Sequence, residues 1–173
     1  MTKNLVLTGM MGVGKSTIGK SLAKRLSYNF LDMDRLIEDR EGCSINIIFK
    51  NKGENYFRKI ETSLSLRELK KNNTIISLGG GAFLSNSIRK AVKDTSVSFW
   101  LDVNINELVK RLNKTKKRPL LFKKNMKDTV SKIYLERKRI YNEADFRIKC
   151  RFLKPEAIVD KIIKLYEKSR NKI

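Results

Sequence analysis

Residues 4–26 read NLVLTGMMGVGKSTIGKSLAKRL, and within them Gly9–Ser16, GMMGVGKS, satisfies G-x-x-x-x-G-K-[ST]. The run Asn4–Thr8 before it is apolar enough for a buried strand. Ile18, Leu22 and Leu26 after it recur at the spacing of an amphipathic helix. Strand, glycine loop and helix in that order is the context in which such a loop cradles phosphates. Glycines let the backbone come close, and the amides at the helix start point at negative charge. Lys15 then supplies a mobile positive charge to the β and γ phosphates, and the Ser16 hydroxyl is placed to ligate Mg²⁺. ATP contacts are therefore expected at Gly12, Val13, Gly14, Lys15, Ser16 and Thr17.

The same alternation continues outward. Strand-like runs occupy 28–31, 74–78, 96–101 and 146–150. Helical patterns cover about 35–40, 44–50, 54–71, 105–112 and 128–141, and a final helix starts at Pro155. Strands alternating with helices imply an α/β fold: a three-layer sandwich with a central parallel sheet flanked by helices, of the P-loop NTPase type, with ligands at the carboxyl ends of the strands. The 173 residues contain no Pro/Gly/Ser-rich linker, repeat or low-complexity tract, and one domain over 1–173 is expected. Residues 110–124 hold eight basic side chains, no acidic one and no periodicity. A mobile lid over about 113–125 is the expectation there, with a solvated or RNA-contacting basic loop as the alternative.

Composition excludes several chemistries. With no histidine and two cysteines, Cys43 and Cys150, outside any C-x-x-C pattern, zinc sites and histidine-based triads are ruled out. Apolar runs are far shorter than the roughly 20 residues of a membrane span, and the first residues lack the order of a signal peptide, so a cytoplasmic, membrane-free protein is expected. The 39 basic and 18 acidic residues give a formal charge of +21. That value raises nucleic-acid binding as a question. The excess is spread along the chain, however, and the same field serves an anionic small substrate, so no nucleic-acid partner is expected.

A phosphate loop alone does not choose among GTPases, motors and kinases. Asp39–Gly42, of the form D-x-x-G, and Asn51–Glu54, close to N-K-x-D, mimic guanine-nucleotide motifs. They lie nine residues apart, too close for the intervening elements, and Glu54 stands where Asp is needed. Asp32 and Asp34 follow a short strand, and period-two geometry would put both carboxylates on one side of the sheet edge. One can orient magnesium or its waters and the other can accept a hydrogen bond from a substrate hydroxyl, while either can also cap the helix that follows.

With LDMD at 31–34, YFRKIE at 56–61, SLGGGA at 77–82, KRPLL at 117–121 and RKRIY at 137–141, the chain resembles the shikimate kinases over nearly its whole length. The resemblance implies ATP-dependent phosphorylation of the 3-hydroxyl of shikimate, a step of chorismate and aromatic amino acid biosynthesis, by an enzyme expected to be a monomer. It implies shikimate contacts at Asp34, Arg58, Gly80, Gly81 and Arg137, with Phe49 and Phe57 as an aromatic wall that core packing would explain equally. It also implies magnesium at Ser16 and Asp32, catalysis by Lys15, Asp34 and a lid arginine, Arg118, and an adenine ring held between Arg111 and Pro155. Arg58 would equally suit a surface pair with Glu61 at i,i+3. Met10, Met11, Phe83 and the strongly basic lid depart from the family pattern. A related P-loop kinase for another small polyol or nucleotide acceptor, and a nucleic-acid-dependent NTPase, are the alternatives.

Overall fold

The computed structural model describes residues 3–113, 125–151 and 153–170. Five parallel strands, β1 (Asn4–Thr8), β2 (Asn29–Asp32), β3 (Thr74–Ser77), β4 (Ser96–Asp102) and β5 (Phe146–Lys149), form one sheet in the order β2-β3-β1-β4-β5. Both faces of the inner strands are covered. All of β1 and β3, and β4 up to Leu101, are therefore buried, which is why they read as continuous apolar runs rather than alternating ones. Val6 pairs with Ile76 on one side and Ser98 on the other, so the chain leaves β1 between strands that diverge in sequence. Such a switch point opens a crevice beyond the carboxyl end of β1.

Helix α1 (Lys15–Leu26) starts at that end and buries Ile18, Leu22 and Ala23. Helix α2 (Met33–Glu41) begins directly after β2, capped by the Asp32 side chain on the Arg35 amide, and stops at Gly42. Helix α3 (Ile45–Glu68) continues through 51–53 but breaks its geometry at Gly53, with φ 79° and ψ 169°, so the two expected helical segments are the two arms of one kinked helix. A 3₁₀ turn (Ala82–Leu84) leads into α4 (Asn86–Thr95), a helix the periodicity reading passed over although Ile88, Ala91 and Val92 carry its spacing. Helices α5 (Ile105–Asn113), α6 (Met126–Tyr141) and α7 (Pro155–Arg170) complete the layers. The expected lid, apart from its end residues, and Arg118 with it, lies outside the described residues.

Trp100 fills the centre of β4, touching Tyr141 of α6 at a ring separation of 5.9 Å and sitting under the guanidinium of Arg147. Tyr166 of α7 meets Tyr28 edge-on at 6.3 Å on another side of the molecule. These large buried rings fix the outer helices against the sheet and so hold the walls of the crevice. No helix among the described residues is long and apolar enough to cross a membrane.

Candidate active site

The phosphate loop turns sharply over the end of β1. Gly9 has φ 130°, and a Cβ there would lie 2.6 Å from the Leu101 carbonyl oxygen, so glycine is demanded twice, by dihedral and by space. Gly14, in the left-handed region at φ 99°, caps α1 and aims its first amides into the loop. The Lys15 ammonium donates to the carbonyls of Gly9 and Met10 at 2.9 and 3.0 Å and is largely buried, poised at the mouth of the loop. The next helical residues are Ser16 and Thr17, both exposed. Against Val13, the Arg111 guanidinium of α5 donates to the backbone oxygen at 3.1 Å and pairs with Glu107 one turn back.

Ser16 Oγ donates to Asp32 Oδ2 in a short hydrogen bond. Asp32 thus caps α2 through one oxygen and meets the loop hydroxyl through the other. Its companion behaves differently. Helix α2 begins at Met33, so Asp34 lies in its first turn rather than on a continued strand, and period-two geometry does not extend to it. A Cβ on Gly79 would meet Asp34 Oδ1 at 2.6 Å and Glu61 Oε1 at 2.7 Å, which puts Asp34 against the glycine run instead.

That run forms the floor of a cavity of about 410 Å³ beside the phosphate loop, bounded by Met11, Asp34, Phe49, Arg58, Gly80 and Arg137 among others. Phe49 and Phe57 stand together in its wall with ring centres 4.8 Å apart, and Phe57 is also buried in the core. Gly81 lies so close to Arg58 that a Cβ would fall 2.6 Å from Nη1. Arg58 donates to Glu61 at 2.6 Å and, through Nε and Nη2, to Glu54 at 3.2 and 3.1 Å. The pairing at i,i+3 with Glu61 is real, but Glu61 is 3 % exposed and the pair sits inside the cavity rather than on an outer surface. Of the three consecutive cations at 137–139, Arg137 lines the cavity and donates to the Gly80 carbonyl at 2.9 Å, while Lys138 and Arg139 face solvent.

Glu61 is the residue whose part the sequence concealed. Burial, first of all, raises its carboxyl pKa above the usual range; the Arg58 charge and hydrogen bond pull the other way, Asp34 adds to the rise and Arg137 opposes it. A signal existed: Glu61 lies on the same stripe as Phe57, Ile60, Leu64 and Ser65, all buried, and an acid on a buried stripe demands a partner. Tyr141, the last residue of the motif at 137–141, donates to the Gly80 carbonyl alongside Arg137. Arg89 of α4 grips the carbonyls of Phe83 and Leu84 at 2.9 and 2.8 Å and pairs with Glu143, so it braces the turn that follows the glycine run.

Pro155 opens α7 and is exposed. Cys150, just after β5, is buried, and burial, with Asp102 adding to it, pushes its thiol up to about 11 although the Arg111 charge opposes the rise. The geometry brings two features into contact: a loop built for phosphates, and beside it a cavity lined by two guanidinium groups, four carboxylates, two of them paired with Arg58, and an aromatic wall, suited to a small hydroxylated acid.

A family model described as shikimate kinase matches residues 11–167. A shikimate kinase of Thermodesulfovibrio yellowstonii is 38 % identical over 169 residues, 98 % of either chain. One of Persephonella marina is 39 % identical over 161 residues, 93 % of this chain and 97 % of its own. Among solved structures, shikimate kinase from Acinetobacter baumannii in complex with shikimate is similar at a TM-score of 0.92 and 29 % identity, over 98 % of this chain and 95 % of that one.

Proposed function

The chain belongs to the shikimate kinase family, and on that premise we propose that it transfers the γ-phosphoryl group of ATP to the 3-hydroxyl of shikimate, giving shikimate 3-phosphate and ADP. The observation that carries this assignment is the convergence of Arg58, Arg137 and Asp34 on one cavity that is also lined by Gly80, Gly81 and Met11 of the phosphate loop. Two planar guanidinium forks suit a carboxylate, and a carboxylate at the other edge suits a hydroxyl.

The triphosphate lies along 9–17, and its charge draws Lys15 from the carbonyls of Gly9 and Met10 onto the β and γ phosphates. Ser16 and Asp32 offer a hydroxyl and a carboxylate, hard oxygen ligands of the kind Mg²⁺ takes together with substrate phosphates. Held there, the ion would supply positive charge against the negative charge that develops during transfer. Arg58 and Arg137 hold the acceptor carboxylate, with Glu61 and Glu54 fixing the Arg58 guanidinium. Asp34 accepts the hydrogen bond of the 3-hydroxyl and directs its oxygen in line with the γ phosphorus. In a loose, dissociative transfer this positioning matters more than early proton removal. Arg111 and Pro155 enclose the adenine, and Arg118 supplies positive charge to the transferred group. The protein acts as one domain, as a monomer and in the cytoplasm.

Correlation of ³¹P with ¹H in the spectrum of the product decides the regiochemistry. Coupling of the new phosphate to the proton on C3 is expected; coupling to another ring proton would overturn the placement of Asp34.

A further inference from the structure

Three glycines stand in succession after Leu78, and none of them is required by its backbone dihedrals. Gly79, Gly80 and Gly81 all lie outside the left-handed region, so an L side chain could adopt their conformations. What they leave open is space, each for a different neighbour. A Cβ on Gly79 would fall 2.6 Å from Asp34 Oδ1 and 2.7 Å from Glu61 Oε1. On Gly80 the nearest atom is the Met11 backbone nitrogen, at 3.3 Å, in the phosphate loop. On Gly81 it is the face of the Arg58 guanidinium, with Nη1, Nη2 and Cζ at 2.6, 2.8 and 2.9 Å.

Real Cβ atoms essentially never come within 3.0 Å of such a neighbour, so a methyl group at 79 or 81 forces something to shift. What shifts depends on how each neighbour is held. Glu61 is 3 % exposed, lies on the buried stripe of α3, and is bound through Oε2 to Arg58. Asp34 stands half-buried in the first turn of α2, with the acceptor cavity beside it. A methyl group at 79 therefore drives Asp34 into the cavity and leaves Glu61 in place. At 81 the Arg58 guanidinium gives way, since it borders the same cavity. The atoms displaced are the ends of flexible side chains, so the fold absorbs either change and the site does not.

On the reading of the acceptor given above, we propose that Gly79 and Gly81 are positioning residues with separate tasks. The bare backbone at 79 seats the Asp34 carboxylate that directs the acceptor hydroxyl, and the bare backbone at 81 seats the Arg58 fork that holds the acceptor carboxylate. Gly79 thus serves the transfer step, and Gly81 serves acceptor binding. Each acts through the side chain it admits.

The test compares Gly79→Ala and Gly81→Ala in the full chain, by steady-state kinetics with MgATP and shikimate. Gly79→Ala should lower kcat at least about tenfold with the KM for shikimate within about threefold, because misplacing a reacting group by about 1 Å can cost about 10²-fold. Gly81→Ala should raise that KM at least about tenfold with kcat within about threefold. In an Asp34→Ala background, which has no carboxylate to displace, adding Gly79→Ala should change the remaining kcat by less than about twofold. If Gly79→Ala alone does not fold, adding Asp34→Ala should restore folding. A crystal structure of Gly79→Ala, a readout independent of the acceptor, should show Asp34 displaced and the Glu61–Arg58 pair intact. A parent inactive with shikimate would overturn the acceptor reading and leave that displacement to decide the positioning. Equal changes in kcat and KM in both variants, a kcat loss undiminished in the absence of Asp34, or an Asp34 that keeps its place in the crystal would overturn the proposal.

Discussion

At the scale of single residues, the site works by giving each charged group a partner that also fixes its direction. Arg58 is held by Glu54 and Glu61, and Glu61 would be left buried without compensation if Arg58 became alanine. Arg58→Lys keeps the charge but removes the fork, so the KM for shikimate should rise about tenfold while that for MgATP stays within about twofold, as steady-state kinetics would show. The raised carboxyl pKa of Glu61, set first by burial, means that the folded state binds its proton more tightly than the unfolded chain does. Its contribution to stability is therefore present in acid and lost as pH rises through the raised value. Glu61→Gln should gain in denaturant midpoint relative to the parent as pH rises from about 4 to neutrality; a constant difference would show that Glu61 does not titrate in that way. Asp32 serves as both cap and neighbour of Ser16. Because Asn caps as well as Asp, Asp32→Asn should leave the midpoint within about 0.5 kcal/mol while raising the Mg²⁺ concentration needed for half-maximal rate several-fold.

At the scale of elements, what the sequence made legible followed the strength of local signals. The strand, loop and helix at 4–26 announce themselves because a parallel inner strand must be apolar throughout and a phosphate loop must carry glycine at fixed places. The parallel sheet followed from alternation, and Asp34, Arg58 and Arg137 from their motifs. Helix α4 escaped notice because a surface helix of ten residues buries only Ile88 and Val92, little for periodicity to register. Period-two geometry did not apply to Asp32 and Asp34, because Asp32 ends the strand by starting a helix and Asp34 lies in the first turn of that helix. Glu61 stayed hidden since its role depends on the Gly79–Gly81 run approaching from eighteen or more residues away in sequence. The loop itself is the least tolerant element. Gly9→Ala combines φ 130° with a clash on the Leu101 carbonyl, a backbone atom that cannot swing aside. A loss of about 2 kcal/mol or more in unfolding free energy, with weakened nucleotide affinity, is expected in chemical denaturation and nucleotide titration.

At the scale of the whole molecule, the sheet order places the phosphate loop at the switch point and gathers the acceptor residues from α2, α3, the glycine run and α6 around it. Every one of these elements would have to be rebuilt for a different acceptor, whereas the loop would not, so acceptor choice is the most demanding check on the assignment. The charge of +21 enters here as well, since an electropositive molecule favours the approach of ATP and of a carboxylated acceptor alike. The deciding measurement is ADP release by the purified protein with MgATP, alone and with shikimate, gluconate, a nucleoside monophosphate or RNA. Strong stimulation by shikimate and none by the others is predicted; stimulation by another acceptor and not by shikimate would contradict the account of the cavity while leaving the phosphate loop as described.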